Sequence, residues 1–103
     1  MKNIQVINDF ATELRQNGYD GTTIINNGYL GFLFYKRDEK DNNNVYLVHH
    51  GDLMYNDALV SLKMLKARML MKTGDFINQL GEEAKGFFIK ESEFILKTIN
   101  NLI

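Results

Sequence analysis

An Asn-Gly pair at positions 27 and 28 constrains the fold of this chain more than any other short segment. It separates a β-rich run at residues 22–26 from a long aromatic run, Tyr29–Arg37. Tight β-hairpins favour Asn-Gly because both residues tolerate the positive φ angles of a type I′ turn. A third run of β-branched and aromatic residues follows at Val45–His50. The sequence therefore predicts three antiparallel strands in meander order.

Apolar residues at helical spacing precede this predicted sheet. Between residues 4 and 14 they recur every three or four positions, which is typical of an amphipathic helix. Asn3 is the expected N-cap of this helix. Gly18 is expected to end it, because glycine adopts the left-handed conformation without a Cβ clash. The chain is therefore predicted to begin with a helix.

The half of the chain after the sheet is predicted to be helical, with at least one break. A helix capped by Asp52 or Asn56 is expected to run to about Thr73, with a break at Gly74-Asp75. The helical period then continues almost to the end, as one kinked helix or as two with a restart near Glu82. The predicted fold is α+β, in the order α-β-β-β-α-α: an N-terminal helix, a three-stranded antiparallel meander and two or three C-terminal helices.

The middle strand and the first of these C-terminal helices are apolar on two opposed sides. In the strand, Phe32 and Phe34 point to one face of the sheet, and Leu33 and Tyr35 point to the other. A sheet with one solvated face should alternate apolar with polar residues, so we expect helices or another chain to cover both faces. The helix has one stripe that includes Leu62 and Leu65, and an opposite stripe formed by Val60, Met64, Ala67 and Met71.

Composition narrows the class of protein. The chain has no cysteine, which excludes disulfides, thiolate catalysis and zinc–thiolate sites. Its length of 103 residues fits one domain, and its apolar fraction of 45% is typical of a folded protein. The N-terminal segment lacks a signal-peptide pattern, and no run approaches the ~18 apolar residues of a membrane span. We therefore expect one cytoplasmic α+β domain over residues 1–103.

His49, His50 and Asp52 form the one histidine cluster of the sequence. Adjacent strand residues point to opposite faces, so a metal site would need a turn after His49 and a third ligand from elsewhere. We expect two partly exposed imidazoles at a strand end. A small metal-dependent or acid–base enzyme around His49 and His50 is a minor alternative, and no catalytic, metal-binding or cofactor-binding residue is assigned.

The connection before the third strand is acidic and rich in asparagine. Its side-chain oxygens would suit calcium, but the spacing lacks the mid-loop glycine and the closing glutamate of an EF-hand. We expect a solvated hairpin tip, and such tips are common contact points for partner proteins. Asp38, Asp41 and Asn43 are therefore candidate partner contacts.

Residues 58–74 carry four basic residues and no acidic one, although the net charge of the chain is −1. Long basic side chains that flank a buried helix explain this asymmetry without any function. A basic surface for an acidic protein partner is one functional alternative, and phosphate contact with nucleic acid is another. The candidate partner-binding residues in this segment are Lys63, Lys66, Arg68 and Lys72.

By elimination, the sequence favours a non-enzymatic protein–protein interaction module. It contains no convergent set of nucleophilic or titratable residues, and it has more apolar surface than so short a chain readily covers. Its size and composition are typical of small inhibitor or adaptor proteins of phages and mobile elements, which bind a cytoplasmic protein partner. A homodimer through the C-terminal helices would use part of the apolar surplus. A nucleic-acid-binding protein that uses the basic helix 58–74 is the alternative.

Overall fold

The computed structural model describes residues 2–26, 29–51 and 56–103, and within them the predicted element order is confirmed. Helix α1 (Ile4–Gln16) precedes strands β1 (Asp20–Asn26), β2 (Tyr29–Arg37) and β3 (Val45–His50), and helices α2 (Ala58–Ile77) and α3 (Glu82–Leu102) follow. The strands form one antiparallel sheet in the order β1-β2-β3. The fold is therefore α+β, with two C-terminal helices.

Two glycines bring the chain from α1 into the sheet. Gly18 has a φ of 88° and ends α1 as predicted. Gly21 has a φ of 155°, and a Cβ atom there would lie 2.1 Å from the carbonyl oxygen of Leu33 on the neighbouring strand. β1 therefore starts at Asp20, two residues earlier than predicted, with glycine at the point of closest approach. The Asn-Gly turn at residues 27–28 lies outside the described residues.

The helices cover one face of the sheet and enclose the core. Leu30, Phe32 and Phe34 of β2 are at most 3% exposed, and the Phe32 ring packs edge-on against Phe10 of α1 with centroids 5.6 Å apart. Each of the other elements except β1 adds apolar side chains. The remaining buried apolar residues of the core are Ile7, Ala11, Leu14, Tyr19, Tyr46, Val48, Ala58, Leu62, Leu65, Ile95 and Ile99.

The helix caps differ from those predicted. Asn3 precedes α1 in a left-handed conformation, and its side chain does not cap that helix. Its Nδ2 instead donates to Oδ1 of Asp57, at 2.9 Å. Asp57, rather than Asp52 or Asn56, caps α2, because its extended backbone lets Oδ1 accept from the Leu59 N–H at 3.0 Å. One carboxylate therefore joins the starts of two helices.

The helix break predicted at Gly74 is wrong, because α2 continues to Ile77. Glycine inside a helix costs only ~1 kcal/mol relative to alanine. Continuation of the helix brings Phe76 against Phe88 of α3, with ring centroids 5.4 Å apart, and this contact offsets the cost. The chain turns at residues 78–81, and α3 starts at Glu82 as expected.

Candidate functional site

The outer face of the sheet carries exposed apolar side chains. Directly paired residues of antiparallel strands point to the same face, and Tyr35 pairs with Leu47. Leu33 lies on that face as well, because it is two residues from Tyr35 on the same strand. Ile24 also lies on it, because Ile24 pairs with Gly31, which is two residues from Leu33. These four residues are 39–59% exposed. We call Ile24, Leu33, Tyr35 and Leu47 the sheet-face patch, and no described helix covers it.

The second stripe predicted on α2 is exposed as well. Met71 is 76% exposed, and Val60 and Ala67 also face solvent, while Met64 is half-buried. The stripe that includes Leu62 and Leu65 is buried in the core. The apolar surplus in the sequence is therefore not covered within the described parts of this chain.

A groove of about 590 Å³ follows the free edge of β3. Five successive residues, Val45 to His49, line it, and this is geometrically possible only along a strand edge, because successive side chains point to opposite faces. β3 pairs with β2 on its other side. We call this feature the β3 groove, and its other described lining residues are Leu65, Arg68, Met69, Phe76, Ile77, Gln79, Phe88 and Ser92.

Aromatic rings form one wall of the β3 groove. The Phe88 ring lies 5.6 Å from Tyr46 and 5.4 Å from Phe76, measured between centroids. The hydroxyl of Tyr46 shares a 3.1 Å hydrogen bond with Oγ of Ser92, and burial raises the pKa of Tyr46. This wall is therefore held by packing and by one buried hydrogen bond, and it presents ring faces and edges to the groove.

Arg68 is the one permanently charged side chain among the described lining residues of the β3 groove. It is half-buried, and within residues 2–26, 29–51 and 56–103 its guanidinium has no hydrogen bond or ion pair. Its positive charge contributes to the lowered pKa of His50, which places the two groups within electrostatic range. Among its described lining residues, the groove is therefore mainly apolar, with one permanent cation whose donors have no described partner.

The prediction of two partly exposed imidazoles is wrong for His50. The strand continues through His50, so His49 points to the exposed face and His50 points inward, where it is 1% exposed. The His50 ring stacks on Phe32 with centroids 5.0 Å apart, and neither ring nitrogen has a hydrogen-bond partner among the described residues. Burial lowers the pKa of His50 to about 4, and Arg68 and His49 add to this effect.

The two histidines therefore do not converge on one point. Among the described residues, no group of three potential metal ligands lies together. Asp52, the third member of the sequence cluster, lies outside the described residues.

A buried polar cluster was not predicted from the sequence. The Tyr19 hydroxyl donates to Oε2 of Glu91 at 2.5 Å, and Nζ of Lys36 lies 3.1 Å from Oε1 of the same carboxylate. Burial and the neighbouring carboxylate raise the pKa of Tyr19. Tyr19 and Glu91 are only 2% exposed, so the cluster ties α3 to the sheet rather than facing a substrate. Tyr19 and Glu91 are 72 positions apart, and no local pattern reveals such a pair.

The candidate residues of the β2–β3 connection lie together in one loop. Oδ1 of Asp38 accepts from the Lys40 N–H, and Oδ1 of Asp41 accepts from the Asn43 N–H, each at 3.0 Å. These carboxylates therefore stabilise the turns of their own loop. The side chain of Asn43 is exposed, and the loop leads directly into the start of the β3 groove at Val45.

The basic candidates of α2 do not form one surface. Lys63 is exposed and precedes Arg68 by five residues, which places the two about 140° apart around the helix. Lys66 is half-buried on the flank nearer Lys63, and the side chain of Lys72 lies outside the described residues. Of these residues, Arg68 alone is a described part of the β3 groove.

Comparisons with known proteins do not assign the chain to a family. No protein-family model matches it, and no curated protein or solved structure matches it significantly. Within the described residues, no helix is both long enough and apolar enough to cross a membrane. The sheet-face patch and the β3 groove are therefore the candidate functional surfaces of the described residues.

Proposed function

We propose that this chain is a non-enzymatic module that binds a partner protein on the open side of its sheet. The sheet-face patch is the observation that supports this proposal, with four large side chains that are 39–59% exposed on one face. The largest exposed apolar patch of a protein is often functional, and contact with another protein is one such function. Moving a fully exposed apolar side chain to a fully buried site contributes roughly 1.5–3 kcal/mol. The patch side chains are about half exposed, so each contributes about half of that when a protein surface covers it.

A narrower form of the proposal is a small cytoplasmic inhibitor or adaptor of the phage or mobile-element type. It is supported by chain length and composition alone. A homodimer through the C-terminal helices is compatible with it, because exposed apolar residues near the end of α2 are available for that contact. These residues are Leu70, Met71 and Phe76.

The two alternatives receive less support from the described residues. A nucleic-acid interface gains affinity from several cations on one surface, but Lys63 and Arg68 lie on different flanks of α2. An acid–base or metal-dependent enzyme around His49 and His50 needs both rings at one accessible site, whereas these rings point to opposite faces of β3.

Substitution on the sheet-face patch tests the proposal. The tagged chain is used to capture proteins from a lysate of its host, with and without nuclease treatment of the lysate. The captured protein is then purified, and its affinity for the original chain and for variants of the chain is measured by titration. Leu33→Gln combined with Leu47→Gln is expected to weaken binding at least about tenfold, because two apolar contacts are lost. The melting temperature should change little, because both side chains are about half exposed in the free chain.

Ile89→Gln is the matched control, because Ile89 is 37% exposed on α3 outside the patch. This variant should retain the affinity of the original chain. The proposal is contradicted if captured material disappears with nuclease, or if the patch and control variants bind equally well.

A further inference from the structure

We propose that the β3 groove binds an extended, mainly apolar segment of the partner protein as a fourth strand of the sheet, with a carboxylate of that segment on Arg68. This inference rests on the proposed function and specifies the chemistry of the partner. It follows from two features of the groove within the described part of the chain: a strand edge with no neighbouring strand, and a guanidinium with no ion pair.

The open edge favours a strand as the occupant. A strand edge presents a row of backbone N–H and C=O groups that a further strand can pair with. The groove follows this edge for five successive residues, Val45 to His49, so a partner strand of similar length can pair along it. Its side chains that point to the inner side of the sheet would meet the aromatic wall formed by Tyr46, Phe76 and Phe88.

Arg68 specifies the charge of the occupant. The described lining residues of the groove include no acidic side chain, so an apolar strand placed there would bury the guanidinium without compensation. A carboxylate on the strand can accept two parallel hydrogen bonds from the guanidinium fork, and such charge-assisted bonds are stronger than neutral ones. The expected segment is therefore apolar with one aspartate or glutamate.

The charge of Arg68 also disfavours a second copy of this chain that pairs through its own β3. The sequence of β3 is Val-Tyr-Leu-Val-His-His and contains no acid. Pairing of two β3 strands would fill each groove while leaving both Arg68 side chains without a carboxylate. A small apolar ligand would likewise leave the backbone groups along Val45–His49 without partners.

Matched synthetic peptides test the inference on the full chain. One series consists of fluorescein-labelled heptapeptides of alternating valine and threonine, and each peptide carries one glutamate at a different position. The second series is identical except that glutamine replaces the glutamate. Fluorescence anisotropy is expected to show binding of at least one glutamate peptide. Its glutamine counterpart should bind about tenfold more weakly or worse, because a hydrogen bond to a charged group is lost.

Variants of two basic residues show whether the preference for glutamate comes from Arg68. Arg68→Gln should remove the difference between the glutamate and glutamine peptides. Lys63→Gln, on another flank of α2, should retain it. N-methylation of the best peptide is a further test, because the N–H groups of a strand point alternately toward and away from its neighbour. Methylation of the amides that point toward β3 should abolish binding. Methylation of the amides that point away from β3 should leave binding unchanged.

Several outcomes would overturn the inference. One is that no peptide of either series binds, and another is that the glutamate and glutamine peptides bind equally well. A third is that N-methylation leaves peptide binding unchanged, as expected of a simple apolar pocket. The fourth is that sedimentation and crosslinking show the chain to be a dimer paired through β3. If the captured partner responds to the patch variant but not to Arg68→Gln, the proposed function stands and this inference fails. If the partner responds to neither, both fail.

Discussion

At the scale of single residues, His50 is a neutral imidazole enclosed by apolar neighbours. Its ring stacks on Phe32, and in the described part of the chain no group forms a hydrogen bond with its nitrogens. The groups that oppose its protonation are the positive charges of Arg68 and His49, in addition to burial itself. Protonation of His50 in the folded state is therefore unfavourable.

The folded protein should lose stability in mild acid because of His50. Its pKa is lowered from 6.5 to about 4 in the fold, so between these values the unfolded chain binds a proton that the folded chain does not. The free energy of unfolding is thus unaffected by His50 above pH 6.5. It falls by roughly 3 kcal/mol as the pH drops to 4, which urea denaturation at a series of pH values would measure.

His50→Leu is the control for this pH dependence, since leucine fills the site without a titratable group. The variant should lose less stability than the original chain between pH 6.5 and pH 4. Identical pH profiles for the two proteins would contradict the assignment to His50.

The buried cluster around Glu91 predicts an asymmetry between its two charged members. Lys36→Met leaves the Glu91 carboxylate, 3% exposed, without its cation, and should cost roughly 3–5 kcal/mol. Glu91→Gln should cost less, because the Lys36 side chain is 24% exposed and can turn to solvent, and because glutamine still accepts from Tyr19.

Chemical denaturation of the two single variants and the double variant measures this asymmetry. The double variant should be more stable than Lys36→Met alone, because the uncompensated buried charge is then removed. A larger loss in Glu91→Gln than in Lys36→Met would show that the carboxylate is better solvated than the structure indicates.

At the scale of elements, features set by local pattern could be predicted from the sequence. β2 and β3 begin and end at the predicted residues, because runs of β-branched and aromatic residues are bounded there by turn residues. The caps and the continuation past Gly74 could not be predicted, since they depend on contacts between distant residues. The Asp57 carboxylate contacts Asn3, and Phe76 packs on Phe88.

The candidate site was predictable only in part. The two apolar sides of the middle strand are visible in the sequence, and so is Arg68 as one of four basic candidates. The β3 groove was not predicted, because it exists only where the edge of β3 lies beside α2 and α3. The spacing of apolar residues in each helix or strand predicts which side is apolar, but it does not predict which helices and strands pack against each other.

Two glycine substitutions should have opposite effects on stability. Gly74→Ala should stabilise the fold by about 0.5–1 kcal/mol, because the position is helical and no atom lies within 4 Å of the added Cβ. Gly21→Ala should destabilise it by more than this, because its φ of 155° is unfavourable for alanine and the Cβ would overlap the Leu33 carbonyl.

Thermal and urea denaturation of these variants compares the two effects directly. Gly86→Ala serves as a control, since Gly86 also lies inside a helix with open space around it, and it should behave like Gly74→Ala. A destabilised Gly74→Ala would indicate that α2 ends before Ile77.

The rate of hydrogen exchange of the backbone amides should alternate between slow and fast along β3. N–H groups that face β2 are protected by the sheet ladder, whereas those that face the groove are not. Hydrogen exchange resolved by NMR should therefore show slow and fast amides at alternate positions from Val45 to His50. Addition of a groove-binding peptide should slow the fast set, and uniform protection in the free chain would contradict an open edge.

At the scale of the whole molecule, the described basic residues of α2 are not concentrated on one surface. The net charge is −1, and the described basic side chains of α2 lie on more than one flank. Recognition by this protein should therefore depend on apolar contact and on one ion pair, with little contribution from long-range attraction.

This distribution predicts a weak salt dependence of partner binding. Affinity for the captured protein should change by less than about tenfold between 50 and 200 mM salt, because one ion pair releases few counterions, whereas 6–10 phosphate contacts lose about 10³–10⁵. Calorimetric titration at the two salt concentrations measures the difference. A loss of a thousandfold would instead favour the nucleic-acid alternative.

The sheet has two outer strands, β1 and β3, and among the described strands the order β1-β2-β3 leaves one side of each without a neighbour. On β1, Arg15 donates a 3.2 Å hydrogen bond to the carbonyl oxygen of Gly21. Head-to-tail growth of a fibril from such units needs both strands to be accessible, because each added copy joins through one and offers the other. A partner seated on β3 would block that growth, so binding would also protect concentrated protein from polymerisation.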